Sequence, residues 1–207
     1  MSETVKQYTS LAKAFDYFNE KLFEGKLPEI FITLQRKSKA AGYYNSERYI
    51  FRENKKAIPE IALNPETFVD ETDEYILSVL AHEMCHHWQQ FFGDPPKRNY
   101  HDREWAGKMK EIGLQPSTTR EPNGKETGSS MNHYVINGGK FEITCGAFLL
   151  DGKKLNLEAI PPSKEQKERK KTREKFTCPN CMQSAWAKKT AHLACGDCMV
   201  VMVIEEE

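Results

Sequence analysis

Residues 82–86 read His-Glu-Met-Cys-His and lie inside a helical pattern that extends from about residue 70 to residue 92. On an α-helix, side chains four positions apart are separated by ~40° around the axis and by one turn along it, so His82 and His86 can reach one metal ion. Imidazole nitrogen is a favoured zinc ligand, and a catalytic zinc site keeps its fourth position for water. Glu83 lies beside the pair and can take a proton from that water. The spacing therefore predicts a catalytic metal site.

The same helix has a separate apolar side. Its large apolar side chains lie ~120° to ~240° around the axis from His82, and they are Ile76, Leu77, Leu80, Met84, Trp88 and Phe91. His86 lies at ~40°, outside that sector, so an ordinary core position does not explain the histidine pair. His87, at ~140°, faces the core, and Cys85, at ~300°, lies off the face of the pair. We therefore expect neither to be a metal ligand.

A third ligand is needed, and two histidines that follow the helix, His101 and His133, are candidates. His101 begins a short helical pattern at residues 99–112 and shares a face with Trp105. Packing of that second helix against the first would point His101 toward the ion. His133 follows a flexible loop and begins a predicted hairpin, so the chain fixes its position less well. We favour His101, and a solvated histidine at a helix start is the alternative interpretation.

Four of the six cysteines form two Cys-x-x-Cys pairs near the C-terminus, Cys178 with Cys181 and Cys195 with Cys198. The spacing between the pairs is typical of a zinc ribbon, in which two turns supply four thiolates to one tetrahedral ion. About 32 residues cannot build a sufficient core alone, so we expect zinc binding to supply the folding free energy of this module. The zinc ion of the ribbon is expected to be structural.

We predict three parts of the chain: a metal-binding domain at residues 1–162, a charged linker at residues 163–175 and the zinc ribbon at residues 176–207. The linker holds seven basic residues and three glutamates. A basic run of this kind can follow the phosphates of a nucleic acid. A solvated charged segment is the alternative interpretation, because the glutamates interrupt the run.

Aromatic and basic residues of the ribbon extend the case for a nucleic-acid contact. Phe176 and Trp186 are aromatic, and Lys188 and Lys189 are basic. Proteins that bind single strands combine basic grooves with aromatic side chains on which bases stack. The sequence therefore predicts a local DNA-binding surface on the ribbon.

The remaining periodicity predicts an α+β domain with a small antiparallel or mixed sheet. Helical spacing of apolar residues is found at residues 10–24, 70–92 and 99–112. Short segments rich in β-branched or aromatic residues, typical of strands, lie at residues 30–34, 41–51 and 58–63. A loop is predicted at residues 117–130, and turn signals predict two hairpins, at residues 134–143 and 148–157.

Composition limits the class of protein. The 207 residues can hold one medium domain and a small appendage. The hydrophobic fraction of 39% is typical of a soluble globular protein, and no apolar run approaches the roughly 20 residues of a membrane span. The N-terminal segment has no apolar secretion signal, so we expect a cytoplasmic protein without a membrane partner. The 30 basic residues balance the 30 acidic ones, so nucleic-acid contacts must be local.

A resemblance to a known family rests on three blocks and the ribbon. His-Glu-Met-Cys-His-His-Trp-Gln-Gln at residues 82–90 is followed by His-Asp-Arg-Glu-Trp at 101–105 and Ile-Gly-Leu at 112–114. This order resembles the SprT-like metalloproteases, the family of eukaryotic Spartan, and in particular bacterial, phage and plasmid members with a C-terminal zinc ribbon. The resemblance implies a compact zincin-like domain. It also implies DNA repair by cleavage of proteins crosslinked to DNA, with protein substrates and single-stranded or damaged DNA as partners.

We therefore expect a zinc-dependent metallopeptidase with two Zn²⁺ ions, one catalytic and one structural. His82, His86 and His101 hold the catalytic ion, and Glu83 activates the attacking water. The segment at residues 41–49 is expected to bind an extended peptide as an added strand. Two other functions stay open: a non-catalytic DNA-binding or regulatory zinc-ribbon protein, and a zinc hydrolase that acts on something other than protein. The intact Glu83 weighs against the first.

Overall fold

The structure is a computed structural model and describes residues 2–35, 40–97, 100–152 and 173–204. The chain divides into two compact units, residues 1–160 and residues 161–207. Four α-helices and several small sheets in the described residues confirm the predicted α+β class. The predicted domain and linker boundaries stay predictions, because residues 153–172, which hold most of the charged run, lie outside the described part.

The first unit contains four α-helices and five strands among its described residues. The helices are α1 (Glu3–Leu22), α2 (Asp73–Phe92), α3 (Arg103–Ile112) and α4 (Lys140–Leu150). The strands are β1 (Phe31–Leu34), β2 (Gly42–Ile50), β3 (Ala57–Leu63), β4 (Leu114–Ser117) and β5 (Asn132–Val135). A single 3-10 turn, Pro65–Thr67, follows β3. None of the described helices is long and apolar enough to cross a membrane.

Three strands form the sheet that the sequence predicts between residues 30 and 63. Their order is β1-β3-β2, with β3 parallel to β1 and antiparallel to β2. β3 is central and buried along almost its whole length, as its aliphatic residues require. β2 packs against α2 and lies at the edge of the described sheet. One side of its backbone is therefore placed to pair with an added strand.

Helix α2 is the central element of the first unit, and its predicted position is confirmed. Thr72 caps it by accepting a hydrogen bond from the Tyr75 backbone N–H at 3.2 Å, and the helix ends at Gly93. It contacts β2, β3 and the other three helices. Because neighbours cover the helix on several sides, even the polar residues His82 and Glu83 are buried. The predicted metal-binding positions thus lie inside the unit.

Two helices begin at positions that differ from the predictions. α1 begins directly after its cap Ser2, rather than near residue 10. The helix predicted at residues 99–112 begins later, as α3, because the Asp102 carboxylate caps it by accepting a hydrogen bond from a backbone N–H of the first turn at 3.0 Å. His101 therefore precedes the helix and forms an isolated β-bridge instead.

Both predicted hairpins are wrong. β5 pairs antiparallel with β4, and residues 118–131 between them contain no helix or strand, so the loop predicted at residues 117–130 begins one residue later. The chain after β5 forms α4, in which Phe141, Cys145 and Phe148 are buried at helical spacing. This 3.6-residue period of burial favours a helix, although the β-branched and aromatic residues of the segment are typical of strands. Residues 155–157, the last predicted strand, lie outside the described part.

The second unit is a small ribbon of short strands. Its described strands are β6 (Glu174–Thr177), β7 (Ser184–Ala187), β8 (Ala194–Cys195), β9 (Val200–Val201) and β10 (Val203–Ile204). β6 pairs antiparallel with β7 and β10, and β8 pairs antiparallel with β9. Among its described residues, the buried core consists of Phe176, Cys178, Cys195 and Met202, with several partly buried neighbours. So small a core agrees with a fold that depends on metal.

Candidate active site

Three histidines meet in the first unit. His82, His86 and His101 each offer a ring nitrogen, and these nitrogens lie within 4.8 Å of one another. The ring centroids of His86 and His101 are 4.7 Å apart. His82 and His86 come from successive turns of α2, and His101 comes from the segment before α3. The structure therefore brings together the three residues that the sequence favours as ligands, and His133 does not belong to this group of three.

Two anchors hold the segment that carries His101. The backbone N–H of His101 donates to the Gly128 carbonyl at 2.9 Å, and the Gly128 N–H donates to the His101 carbonyl at 3.0 Å. Gln89, buried on α2, donates to Asp102 at 2.9 Å and to Glu104 at 2.8 Å. These hydrogen bonds tie the start of α3 to α2. His101 therefore faces α2 from the segment before α3, although the sequence predicts it within that helix.

Trp105 lies beneath the three histidines. Its side chain is fully buried, and its ring centroid lies 4.8 Å from that of His82, 5.3 Å from that of His86 and 4.4 Å from that of His101. A close-packed indole leaves each imidazole little room to rotate. The indole N–H is only a donor and cannot bind a cation. Trp105 thus restricts the orientation of the rings without being a ligand.

Burial keeps the three histidines neutral. It lowers the pKa of His86 to about 3, with the neighbouring His101 as a further cause. Burial, assisted by the nearby histidines, lowers the pKa of His82 well below its usual value. Burial also lowers the pKa of His101, against the opposing effects of the Gly128 carbonyl and the Asp102 carboxylate. Because a neutral imidazole has one unprotonated nitrogen, each ring has a lone pair for a metal at neutral pH.

The outer nitrogens of two rings have defined partners. Nδ1 of His101 donates to the Gly128 carbonyl at 3.0 Å, and Nδ1 of His82 lies 3.1 Å from Nδ1 of His133. Each contact occupies Nδ1 and leaves Nε2 for a ligand, which is the usual arrangement around a metal-binding histidine. Three neutral imidazoles are a donor set of catalytic zinc sites. The residues of this site therefore fit a zinc ion.

A cleft of about 240 Å³ adjoins the histidines, and Glu83 lines it. The cleft is bounded by the start of β2 on one side and by residues 129–133 on the other. The Glu83 side chain packs against the backbone of β2, since a Cβ atom on Gly42 would lie 2.9 Å from Glu83 Oε1. The carboxylate therefore lies between α2 and the edge strand, in the same cleft as the three histidines.

His87 and Cys85 are core residues, as their angles on the helix predict. His87 is fully buried, and its Nε2 donates to the Pro28 carbonyl at 3.0 Å. Its Nδ1 lies 3.3 Å from the hydroxyl of Tyr44. Cys85 is fully buried, and this burial raises the pKa of its thiol well above the usual value. Both nitrogens of His87 thus have partners in the protein, and the Cys85 thiol stays protonated.

Two glycines of the site carry no signal in the sequence, and His133 has a role there other than the predicted one. Gly42 and Gly128 bring backbone close to Glu83 and His101, and His133 contacts His82 rather than competing with His101. All three contacts depend on the packing of β2, of the 118–131 loop and of β5 against α2. A local pattern does not report which strand pairs with which. A signal for His133 would have required the β4–β5 pairing, and one for Gly42 the β2–β3 pairing.

The four ribbon cysteines form a separate cluster in the second unit. The Sγ atoms of Cys178, Cys181, Cys195 and Cys198 lie within 4.8 Å of one another, and all four thiols are free. Hydrogen bonding from the Cys181 backbone N–H lowers the pKa of Cys178 to about 7, whereas hydrogen bonding with Cys181 raises the pKa of Cys198. Four thiolates are the donor set of a closed structural zinc site. The cluster therefore fits the predicted zinc ribbon.

The aromatic residues of the ribbon differ in exposure. The Trp186 side chain on β7 is 63% exposed and lies opposite Lys175 of β6. Lys188 and Lys189, directly after β7, are also exposed. Phe176 is buried in the small core, so it cannot stack on a base, and its place in the predicted stacking surface is wrong. Trp186 and the lysines stay candidates for that surface.

Comparison with known proteins adds two findings. The SprT-like family matches residues 11–125, more than half of the chain. That range contains α2 and the segment of His101, and it ends before β5 and the ribbon. An uncharacterized protein in the mucB 3′ region of Salmonella typhimurium is 43% identical over 58 residues, which cover 28% of this chain and 78% of that protein.

Proposed function

Because the chain belongs to the SprT-like family, we propose that it is a zinc-dependent metallopeptidase. One observation carries the proposal: three neutral imidazoles and the Glu83 carboxylate line one cleft. A structural zinc site closes all four positions with protein ligands, whereas a catalytic site keeps one for water. Among the described residues, the metal-binding group of the first unit offers three ligands. This donor set favours catalysis over a purely structural role.

In the proposed mechanism, the histidines bind the metal ion and Glu83 transfers the proton. His82 and His86, together with His101, hold the ion, which when bound polarises the scissile carbonyl and acidifies a water molecule. Glu83 accepts the proton of the attacking water and then donates it to the leaving amine. The burial of Glu83 beside Gly42 fixes its carboxylate before substrate arrives, so no reorganisation is needed during the reaction.

The edge strand β2 is the proposed peptide-binding element. Residues 40–44, at its start, line the cleft that contains Glu83. β2 is at the edge of the described sheet, so its outer side is placed to pair with an extended peptide. A peptide bound in this way would run beside the histidines. This arrangement supports protein as the substrate class, over the small molecules on which other zinc hydrolases act.

We also propose that the protein holds two zinc ions and that the ribbon contacts DNA. The two donor sets, three histidines and four cysteines, lie in different units and support one ion each. The exposed Trp186, with Lys188 and Lys189 close to it in the chain, supports stacking on a base and contact with phosphates. Cleavage of proteins crosslinked to DNA is the activity that would combine both parts.

The test is an assay with a generic protein substrate, with and without single-stranded DNA. Wild type should cleave the substrate. Glu83→Gln should lower the rate by about 10²- to 10⁴-fold, because it removes the general base. The same variant should retain two zinc ions per molecule in elemental analysis, since Glu83 is not a ligand. Loss of one ion would place Glu83 in the ligand set, and full activity of the variant would refute its catalytic role.

Trp186→Ala is the matched variant for the DNA part of the proposal. It should weaken binding of single-stranded DNA by about 10- to 100-fold, since stacking on an aromatic side chain contributes about 1–3 kcal/mol per base. Cleavage in the absence of DNA should be unchanged. If DNA binds to wild type but no substrate is cleaved, the non-catalytic DNA-binding function is correct instead. Equal DNA affinity of wild type and Trp186→Ala would remove the ribbon from the DNA interface.

A further inference from the structure

We propose that His133 is a positioning residue that fixes the tautomer of His82 and thereby raises the zinc affinity of the site. This inference rests on the proposed function, because it concerns the ligand role of His82. The residues involved form a buried chain of contacts that leads from His82 through His133 to Ser78. His133 lies on β5, outside the range that matches the SprT-like family.

Both ring nitrogens of His133 have partners. Its Nδ1 lies 3.1 Å from Nδ1 of His82, and its Nε2 lies 2.7 Å from Oγ of Ser78. The side chains of all three residues are buried, with exposed fractions of 7% for His82, 5% for His133 and 0% for Ser78. Water therefore has little access to replace a missing partner. With both nitrogens occupied, His133 has none left to bind a metal.

The direction of each hydrogen bond follows from counting hydrogens. The Ser78 hydroxyl donates its single hydrogen to the Tyr75 carbonyl at 2.7 Å, so its oxygen accepts from Nε2–H of His133. A neutral imidazole has one N–H, so Nδ1 of His133 carries a lone pair. Nδ1 of His82 must then donate to it, because two lone pairs cannot face each other at this distance. Nε2 of His82 is left unprotonated.

This tautomer is the one that zinc binding requires. If Nδ1 of His82 were the lone-pair nitrogen, Nε2 would carry a hydrogen and could not bind a cation. Outer partners of metal-binding histidines select the ligand nitrogen and orient the ring, and their loss typically lowers metal affinity 10- to 100-fold. His101 has a backbone carbonyl, that of Gly128, in this role. His133 performs the corresponding role for His82 with a side chain.

The surroundings of His133 hold it in place. β5 is paired with β4, which sets the backbone opposite Pro116. The Tyr75 ring stacks on the His133 ring, with centroids 6.3 Å apart and planes 19° apart. The guanidinium of Arg120 lies 3.9 Å from the centroid of Tyr75 and donates two hydrogen bonds to Glu71. The 118–131 loop thus covers the outer side of the His133 contact.

The first measurement uses ¹⁵N NMR on the zinc-loaded full-length protein. Ring nitrogen shifts distinguish a protonated from an unprotonated nitrogen. We expect His133 to be neutral, with the hydrogen on Nε2, and His82 to carry its hydrogen on Nδ1. A hydrogen on Nδ1 of His133 would overturn the proposal, since His133 could then no longer accept from His82. This measurement needs no substitution and does not depend on activity.

The second measurement compares zinc affinities in competition with a chelator, counting ions per molecule. His133→Leu removes the hydrogen-bond acceptor of His82 and should weaken the binding of one of the two zinc ions by about 10- to 100-fold. His133→Asn places an amide oxygen near the position of Nδ1 and should restore most of that affinity, which a purely structural role would not predict. Equal affinity of wild type and His133→Leu, or equal losses for Leu and Asn, would overturn the proposal. An inactive wild type with these affinities and tautomers would instead refute the peptidase function and leave His133 in its role.

Discussion

Gly42 illustrates, at the scale of single residues, how an absent side chain shapes the site. A Cβ atom at this position would lie 2.9 Å from Glu83 Oε1, 3.1 Å from Glu83 Cγ and 3.1 Å from Val79 Cγ1. Gly42→Ala must therefore displace the Glu83 carboxylate or the edge strand. Because a misplacement of about 1 Å can cost ~10²-fold in rate, we expect cleavage to fall by about 10- to 100-fold. Elemental analysis should still find two zinc ions.

Gly146→Ala is the matched control for this substitution. Gly146 lies in α4, and a Cβ atom there would have nothing within 4 Å. Alanine in the interior of a helix should raise the free energy of unfolding by roughly 0.5–1 kcal/mol and leave cleavage unchanged. If Gly42→Ala cleaves the substrate as fast as Gly146→Ala does, the close approach of β2 to Glu83 has no catalytic importance.

The sequence predicts some residues of the site much better than others. His82, His86 and Glu83 follow from helical geometry alone, because one element carries all three. His101 lies on a different segment, and its selection over His133 rested on an expected helix start that the structure does not show. From the sequence, His133 is only a rival ligand. Its contact with His82 joins residues 51 positions apart, and no local spacing encodes such a pair.

At the scale of elements, the attachment of α3 to α2 depends on Gln89. Its side-chain amide donates to both Asp102 and Glu104 and is itself buried. Gln89→Ala leaves both carboxylates without this donor. Since a hydrogen bond to a charged group contributes about 1.5–3 kcal/mol, we expect the free energy of unfolding to fall by about 2–3 kcal/mol. His101 should also be held less firmly, so a chelator titration should show about 10-fold weaker binding of one zinc ion.

The neighbouring Gln90 provides the control for this prediction. Gln90 is exposed on the same turn of α2, so Gln90→Ala should change the free energy of unfolding by less than about 0.5 kcal/mol. Denaturant unfolding of both variants measures the difference. If the two substitutions have the same small effect, the hydrogen bonds of Gln89 do not hold α3 and His101 in place.

Elements with one dominant period were predictable, and those with mixed signals were not. The three strands of the first sheet and helix α2 agree with their patterns. α4 was predicted as parts of two hairpins, because its composition favours strands and glycines flank it. Its burial shows the helical period instead. Packing of Phe141 and Phe148 against Phe18 of α1 stabilises that helix, and a partner so distant in sequence is invisible to a local pattern.

At the scale of the whole molecule, the described residues contain two cores and two donor sets. The larger core surrounds α2, and the smaller one lies within the ribbon. Each unit holds one group of residues that suits zinc. We therefore expect the two units to respond separately to metal removal, so that unfolding of the whole chain is not a single two-state transition. In the presence of a chelator, the remaining cooperative transition should report on the first unit.

The buried histidines make the stability of the first unit depend on pH. Burial is the main cause that lowers the pKa of His82, His86 and His101, and it lowers that of His86 to about 3. Burial, with the charge of Arg120 as a further cause, lowers the pKa of His133 to about 4. In the unfolded chain the same side chains titrate near 6.5. Below that pH the unfolded chain binds protons that the folded protein does not. The contribution of these neutral histidines to the free energy of unfolding is therefore fully present above about pH 6.5. It is lost as the pH falls toward their pKa values in the folded protein.

We expect the free energy of unfolding to decrease between pH 6.5 and pH 5, where few carboxylates titrate, by up to about 1.4 kcal/mol per pH unit for each buried histidine. Denaturant unfolding in chelator at several pH values measures this slope. His133→Asn should reduce this slope by up to about 1.4 kcal/mol per pH unit, because it removes one histidine that stays neutral in the folded protein. Saturating zinc should raise the free energy of unfolding at each pH but leave the contribution of these histidines to the slope unchanged, since the folded site binds no protons over this range. A free energy of unfolding that stays constant or rises as the pH falls over this range would show that the histidines bind protons in the folded protein, which would contradict their lowered pKa values.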